Sequence, residues 1–395
     1  MVRTDLILAL SRMGPKTSLR IWSVEQSSTA SGPVSRRDVL SGDIELWLAN
    51  TIGGNLSPGF SWKTELLLLH SHEEQSGTCI SAAKAVLDCL VGAGDYMSSG
   101  FFTTSDTVEF NLHPAERRSD IASDMPPAER LYSVSDNMFG VCWLWDPVNR
   151  HTRGLMYGCG GEGARQMQTI LQSLPVCYQL RANPLLVGLL TLEAEIIEMQ
   201  RWLSAQSMRL TEAQVQTGHH SYANVVRQAD SNALDLANMS RDVCGLAVNI
   251  TTSTLCLQRI VKLADFIQDD FDLMTKSCVT SPASHQSFME CLLPGRTHFV
   301  SRTQAWRRRA DSLLDEAQCW KYKASILVQT VFTLATQRDQ DISIEIARDS
   351  KTLAQKATQD SSSMKIIAAV TMCFLPGTFV AVRSKSICSK ANIRL

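Results

Sequence analysis

The sequence predicts an α+β protein in which a cytosolic mixed domain is followed by a coiled stalk of long helices and a single C-terminal transmembrane helix. Three observations lead to this prediction. Short strand patterns and Gly- and Ser-rich turns occupy the first part of the chain, long stretches with helical spacing follow them, and an apolar run lies close to the end. We divide the 395 residues accordingly into segments 1–40, partly disordered; 41–180, the mixed domain; 181–363, the stalk; 364–382, the membrane helix; and 383–395, a basic tail.

Composition excludes several classes of function. The chain carries 38 basic and 39 acidic side chains, so no global charge attracts nucleic acid, and we predict no nucleic-acid partner. The 12 cysteines contain no C-x-x-C pair, which argues against a zinc or thioredoxin-like site. No secretory signal is recognisable at the N-terminus, so we expect the bulk of the chain to be cytosolic.

Within the mixed domain, residues 81–91 have helical periodicity and residues 100–112 have the pattern of a hairpin. A second hairpin is predicted at VCWLWDPVNRHTRGLMY, where apolar runs flank a D-P-V-N turn. The segment GCGGEG follows, and Gly158, Gly160 and Gly163 match the G-x-G-x-x-G spacing of dinucleotide sites. A glycine-rich turn before a helix explains the same residues, because an antiparallel hairpin precedes them and no acidic residue follows at the expected distance.

The sequence contains no convincing catalytic or metal site. His70, His72, Glu73 and Glu74 offer ligand atoms in one short stretch, but a solvated loop explains them. The acidic run FIQDDFDLM is dense enough for a hard cation, although the exposed face of a helix accounts for it too. Local motifs of hydrolases and Walker-type nucleotide enzymes are missing. We therefore predict no enzyme activity, no cofactor, and no bound metal.

Three long helices are predicted in the second half of the chain. The first begins at NPLLVGLL and is expected to be amphipathic, the second covers about residues 233–273, and the third begins near Pro294. A heptad seam of apolar or small residues marks the third helix, and its phase shifts at QRDQD before resuming. Continued to Val382, this helix would be on the order of 130 Å long at 1.5 Å per residue. The first part of the seam consists of Leu313, Ala317, Trp320, Ala324, Leu327, Val331 and Leu334, and the second of Ile342, Ile346, Leu353, Ala357 and Met364.

The run from Ile366 to Val382 is uncharged and lies at the short end of the range that crosses a bilayer. Lys365 precedes it, basic residues follow it, and no polar face interrupts it, so we predict a single-pass membrane helix. A buried core helix is the alternative. Pro376 and Gly377 predict a kink that frees a backbone carbonyl, which Thr378 or a neighbouring helix would satisfy.

The end of the third helix resembles the stalk and first membrane helix of fungal CorA-like magnesium transporters. The resemblance lies in ATQRD, IARDS, DSSSMK and FLPGTF, in that order, from Ala335 to Phe379. The W-L-W-D hairpin and NPLLVGLLTLEAEI are similar to the cytosolic domain of that family. The resemblance implies a homo-oligomeric, specifically pentameric, magnesium channel with two membrane helices.

The family places a G-M-N loop and a second span after the first span, whereas RSKSICSKANIRL follows it here. We therefore expect a truncated or degenerate relative that does not conduct alone, with magnesium as the candidate transported ion. Extending the stalk register makes Met364, Thr371 and Thr378 candidate pore-lining residues, although the threonines alternatively bond to their own helix. Three further hypotheses remain. They are a functional metal channel that takes its second span from a partner, a soluble or peripheral coiled-coil scaffold that associates through Leu313 to Leu334, and an enzyme that uses the glycine-rich turn.

Overall fold

The structure is a computed structural model, and it describes most of the second half of the chain but only parts of the first. The predicted helix at residues 81–91 and the predicted hairpin at residues 100–112 lie outside the described residues. The described residues are 17–26, 31–38, 62–71, 115–116, 130–135, 139–146, 150–218, 235–279 and 295–391.

The protein has an α+β fold, and its sheet is mixed. Seven strands lie in the order β2-β1-β3-β7-β6-β5-β4. The central strands β3 and β7 run parallel, while the other neighbouring pairs are antiparallel. The strands are β1 (Thr17–Gln26), β2 (Ser31–Asp38), β3 (Trp62–Ser71), β4 (Ala115–Glu116), β5 (Arg130–Ser135), β6 (Phe139–Asp146) and β7 (His151–Cys159).

The hairpin predicted around D-P-V-N is confirmed as β6 and β7. Asp146 pairs with His151 next to the turn, and Arg150 has a positive φ of 53° in the connection. Two buried tryptophans of β6 tie the hairpin to the chain before the next long helix: Trp143 Nε1 donates to Pro184 O at 2.7 Å, and Trp145 Nε1 donates to Ala182 O at 3.1 Å. The W-x-W spacing therefore places both tryptophan side chains where they fix the hairpin to residues 182–184.

Strands β1 and β2 lie inside residues 1–40, which we expected to be partly disordered. Both strands are antiparallel neighbours in the sheet, and β1 pairs along its whole length with β3. Trp22 and Val24 of β1 are completely buried. The polar composition of this segment hid the pattern, because the β1 residues that fill the core are few and alternate with polar ones.

In the described part of the chain, four α-helices follow the sheet, and the three long ones match the three predicted from periodicity. They are α1 (Gly160–Val176), α2 (Leu186–Gln216), α3 (Leu236–Val279) and α4 (Arg296–Ala391). A short 3₁₀ helix, Tyr178–Leu180, connects α1 to the start of α2.

The beginning of α2 is buried on every side, so the predicted amphipathic helix is wrong for its first turns. Leu186 to Ile196 are all buried, including Glu193 and Glu195. A carboxylate at 4 % exposure needs a partner, and Arg302 of α4 forms a bidentate ion pair with Glu193. Glu198, also buried, binds Arg165 of α1 and Arg201.

The chain divides into two compact units. The first contains residues 1–212 and 245–325, and the second contains residues 213–244 and 326–395. The sheet, α1, and large parts of α2, α3 and α4 therefore belong to one unit, which extends beyond the predicted boundary at residue 181. A large core cluster in the first unit joins side chains of β1, β3, β5, β6 and β7 with side chains of all four helices. Trp62, Trp145 and Ala182 form a separate, smaller cluster.

Aromatic contacts mark the centre of that core. Phe271 of α3 contacts Phe299 of α4, with ring centroids 4.6 Å apart, and Tyr132 stacks on Trp143 at 5.2 Å. The Tyr132 hydroxyl donates to Asp270 Oδ2 at 3.0 Å. Such aromatic pairs add about 0.5–1.5 kcal/mol each to the free energy of burial. The first pair joins α3 to α4, and the Tyr132–Asp270 hydrogen bond joins the sheet to α3.

Candidate functional site

The apolar segment from Ile366 to Val382 lies in α4 and is exposed along its whole length. Exposed fractions run from 48 % at Val370 to 75 % at Met372. An 18-residue window of this helix has a mean hydropathy of 1.9, and none of the window is buried. The helix is thus long and apolar enough to cross a membrane. Water does not tolerate so large a continuous apolar surface, which needs a lipid or protein partner.

Basic side chains flank the apolar segment at both ends. Lys365 precedes it, and Arg383 and Lys385 follow it; all three are exposed. Long basic side chains at the ends of an apolar helix reach the headgroup region while their stems stay in contact with apolar surface. The distribution of charge therefore fits the predicted span.

The three candidate pore-lining residues lie seven residues apart on one side of α4. Met364, Thr371 and Thr378 are exposed. The Thr371 hydroxyl donates to Ile367 O at 2.9 Å, and the Thr378 hydroxyl donates to Phe374 O at 3.0 Å. Both hydroxyls are thus satisfied within the helix, as the alternative interpretation of the sequence predicted. Internal bonds of this kind reduce the cost of a hydroxyl in lipid.

Helix α4 continues through Pro376 and Gly377 without interruption. Proline has no N–H, so it leaves the carbonyl of Met372, four residues earlier, without its helical donor. We expected Thr378 or a neighbouring helix to satisfy this carbonyl. The Thr378 hydroxyl bonds with Phe374 and Leu375 instead, because a threonine reaches back three or four residues and Met372 lies six residues before it. The neighbouring helix stays a prediction.

The heptad seam of α4 has a buried part and an exposed part. Leu313, Ala317, Ala324, Leu327 and Val331 are at most 2 % exposed. Leu313 and Ala317 belong to the core of the first unit, so this part of the seam is already covered by its own chain. The scaffold hypothesis places self-association at this part of the seam, where Trp320 and Leu334 remain partly exposed. The later seam positions are different: Ile342, Ile346, Leu353 and Met364 are between 47 % and 73 % exposed.

Among the residues that the structure describes, no three His, Cys, Asp or Glu side chains come together as metal ligands. His70 lies at the end of β3, where its Nε2 is 3.2 Å from Gly160 O, while His72, Glu73 and Glu74 are outside the described ranges. The acidic run of α3 is divided: Asp269 is exposed, but Asp270 is buried against Tyr132. Its interpretation as a wholly solvated helix face is therefore wrong at Asp270.

The three glycines of GCGGEG lie where β7 meets α1: Gly158 is in the strand, and Gly160 and Gly163 are in the first turn of the helix. Gly160 has a φ of 63°, which favours glycine. A Cβ on Gly158 would lie 2.7 Å from Met167 Sδ and 2.8 Å from Gly163 backbone atoms, so glycine allows the strand end to contact the helix. The predicted glycine-rich turn before ARQMQTILQSL is wrong in its extent, because the helix already begins at Gly160.

A buried charged cluster lies at the beginning of β3 and β7. Lys63 Nζ is 2.7 Å from Glu65 Oε1, and His151 Nε2 is 3.3 Å from Glu65 Oε2. Burial raises the pKa of Glu65, but its hydrogen bonds with His151 and Lys63 outweigh burial and hold the pKa at about 2. Burial also lowers the pKa of His151. The cluster therefore keeps the Glu65 carboxylate ionised within a mostly apolar sheet.

Sequence reasoning missed a cleft in the first unit. A cleft of about 340 Å³ lies between α1 and the strands β1, β2 and β3. It collects side chains that are far apart in sequence, so no local motif announces it. Its lining residues are Arg20, Ile21, Trp22, Arg36, Leu68, His70, Ala164, Met167, Gln168, Leu171 and Gln172.

Comparison with known proteins leaves these features to be interpreted from their own geometry. A scan against protein-family models finds no match to the chain, and a search of curated proteins finds none.

Proposed function

We propose that this chain is a membrane-anchored protein related to the CorA-like divalent-cation transporters. In this proposal, residues 366–382 cross the bilayer once, the bulk of the chain is cytosolic, and copies of the chain assemble through the stalk part of α4. Magnesium is the candidate transported ion. The observation that carries the proposal is the continuous exposure of an apolar, uncharged segment between basic flanks at the end of one long helix.

Exposure of the apolar segment argues for lipid rather than a protein core. A core helix of a soluble protein would be mostly buried, whereas none of this segment is buried. At 1.5 Å per residue the 17 positions from 366 to 382 extend about 26 Å, close to the roughly 30 Å of a bilayer's hydrocarbon region. The basic side chains at both ends supply the remaining few ångströms by reaching to the headgroups.

The exposed part of the seam supports assembly with further copies of the chain. Ile342, Ile346 and Leu353 continue the apolar positions of the same helix beyond its buried part. Acidic and basic residues are interspersed around them, from Asp339 to Lys365, so parallel copies of this segment would not repel each other strongly. The second copy is the occupant that the geometry favours, because it presents the same register at the same height above the membrane.

Substitutions on one side of α4 test this assembly. We expect the full-length chain in mild detergent to be an oligomer by light scattering, and Ile346→Glu with Leu353→Glu to make it a monomer. The matched control is Gln337→Glu with Gln355→Glu, because these exposed residues lie half a turn away from Ile346 at 100° per residue. A monomeric wild-type chain would contradict the assembly, and so would an oligomer that tolerates the Ile346 and Leu353 substitutions.

Conduction is tested separately from anchoring. Cells that lack magnesium uptake should not be rescued by this chain alone, although it accumulates normally in their membranes; this result is expected from an anchored relative that does not conduct by itself. Rescue that requires residues 366–382 would instead assign magnesium transport to this chain.

A further inference from the structure

The cleft of the first unit lies between one face of the sheet and α1. It reaches the carboxyl end of β3 at His70, and α1 begins directly after β7, the parallel neighbour of β3. The cleft volume of about 340 Å³ also falls in the range of small-molecule sites.

Positive charge and amide groups meet at this cleft. Arg20 of β1 and Arg36 of β2 both line it and are exposed, so the cleft is open to solvent beside two guanidinium groups. Gln168 and Gln172 lie one turn apart on α1 and also line the cleft. The described lining residues include these two arginines and no carboxylate. Guanidinium groups bind phosphate and carboxylate groups through paired hydrogen bonds.

A buried donor gives independent evidence. Trp22 lines the cleft and is completely buried, yet its indole N–H has no hydrogen-bond partner among the residues that the structure describes. A buried N–H left in this state costs about 1–3 kcal/mol. By contrast, the indole N–H groups of Trp62, Trp143 and Trp145 all have acceptors. An acceptor atom of a bound molecule would remove the cost at Trp22.

Apolar lining residues indicate that the ligand also has an apolar part. Leu68 of β3 and Leu171 of α1 line the same cleft as Trp22. A lining that combines apolar side chains with a few convergent polar groups fits an organic molecule with one charged end better than a bare inorganic ion.

We propose that this cleft binds a small organic anion. Its phosphate or carboxylate group contacts Arg20 and Arg36, an acceptor atom receives the Trp22 N–H, and its apolar body lies against Leu68 and Leu171. This site is separate from the membrane segment, and the proposal does not depend on the proposed function.

Calorimetric titration of the full-length protein in detergent tests the site with matched probes. Phenyl phosphate and benzoate carry an aromatic body with one anionic group, phenol lacks the charge, and inorganic phosphate lacks the body. We expect phenyl phosphate or benzoate to bind at least tenfold more tightly than phenol and inorganic phosphate. The better of the two anions identifies the charged group.

Variants distinguish the cleft from other basic surfaces. Arg36→Gln should weaken the better probe about tenfold, as expected for the loss of one charge-assisted hydrogen bond. Trp22→Phe, which keeps a ring but removes the N–H, should weaken it several-fold and reduce the ligand-induced rise in Tm. Arg209→Gln removes an exposed arginine of α2 outside the cleft and should leave the affinity unchanged. Equal affinity for phenol, no binding of either anion at millimolar concentration, or an unchanged affinity in Arg36→Gln would each overturn the proposal.

Discussion

Arg302 of α4 binds the buried carboxylate of Glu193 on α2 with two hydrogen bonds, and its Nη2 lies 2.7 Å from Glu193 Oε2. A further contact joins Arg302 Nη1 to Cys177 Sγ at 2.9 Å. The hydrogen bond with Glu193 raises the pKa of Arg302, so the guanidinium stays charged. The two residues are 109 positions apart in sequence, and the pair connects α2 with α4. It holds α4 against the beginning of α2 within the first unit.

Removing one partner of this ion pair should destabilise the first unit. Glu193→Gln leaves a half-buried guanidinium without its counter-charge, and we expect a loss of about 3 kcal/mol in the free energy of unfolding. Replacing both residues, with Glu193→Leu and Arg302→Met, should recover most of this loss because no charge remains buried. Urea unfolding followed by tryptophan fluorescence measures both variants. Equal stability of Glu193→Gln and the wild type would show that the pair contributes nothing.

Trp143 makes a second testable link, between the hairpin and α2. Trp143→Phe keeps the ring that stacks on Tyr132 but leaves the buried Pro184 carbonyl without its donor. We expect the free energy of unfolding to fall by about 1–3 kcal/mol. The control is Trp320→Phe, because the Trp320 N–H bonds with Glu316 at an exposed site. Trp320→Phe should lower the free energy of unfolding by about 0.5 kcal/mol or less. Thermal unfolding compares the two, and equal losses would contradict the role assigned to Trp143.

Acid should destabilise the sheet through Glu65. The folded-state pKa of about 2 is below the ordinary glutamate value of 4.5, so the ionised carboxylate contributes stability above pH 4.5 that is lost as the pH falls toward 2. The full contribution is on the order of 3 kcal/mol at 1.36 kcal/mol per unit. His151 acts in the same direction, because its lowered pKa means that protonation below pH 6.5 favours the unfolded chain.

The variant Glu65→Gln tests the acid dependence. It should lower stability at pH 7 and flatten the decline between pH 4.5 and 2, as measured by urea unfolding at a series of pH values. The control is Asp269→Asn, which alters an exposed carboxylate on α3. A Glu65→Gln variant that retains the full acid-dependent decline would contradict the assignment.

Local periodicity predicted the elements that carry strong patterns. The β6–β7 hairpin and the three long helices could be predicted because their apolar residues recur at fixed short intervals. Strand β1 could not, since its partner β3 lies tens of residues away and its own composition is polar. The burial of Glu193 could not be predicted, because its partner, Arg302, is distant in sequence.

In the candidate sites, too, features that are continuous in sequence could be predicted and features built from distant residues could not. The exposed apolar segment of α4 could be predicted, because it is a continuous stretch of sequence. The cleft beside Trp22 could not, because it draws on three strands and a helix that only the fold brings together. Sequence also placed the whole stalk seam on one surface, whereas the fold buries Leu313 and exposes Ile346. Which part of a seam is covered depends on where neighbouring helices end.

The most direct test of the membrane assignment is alkaline carbonate extraction of membranes from cells that express the full-length chain. The comparison variants are a chain ending at Ser363 and the double substitution Val370→Arg and Phe374→Arg. Val370 and Phe374 are exposed, so charge there opposes insertion in lipid without disturbing the core. A matched control places arginine at Ile342 and Ile346, outside the segment. We predict that the full-length chain and this control stay in the membrane pellet while the other two variants are released. Release of the full-length chain would contradict the account.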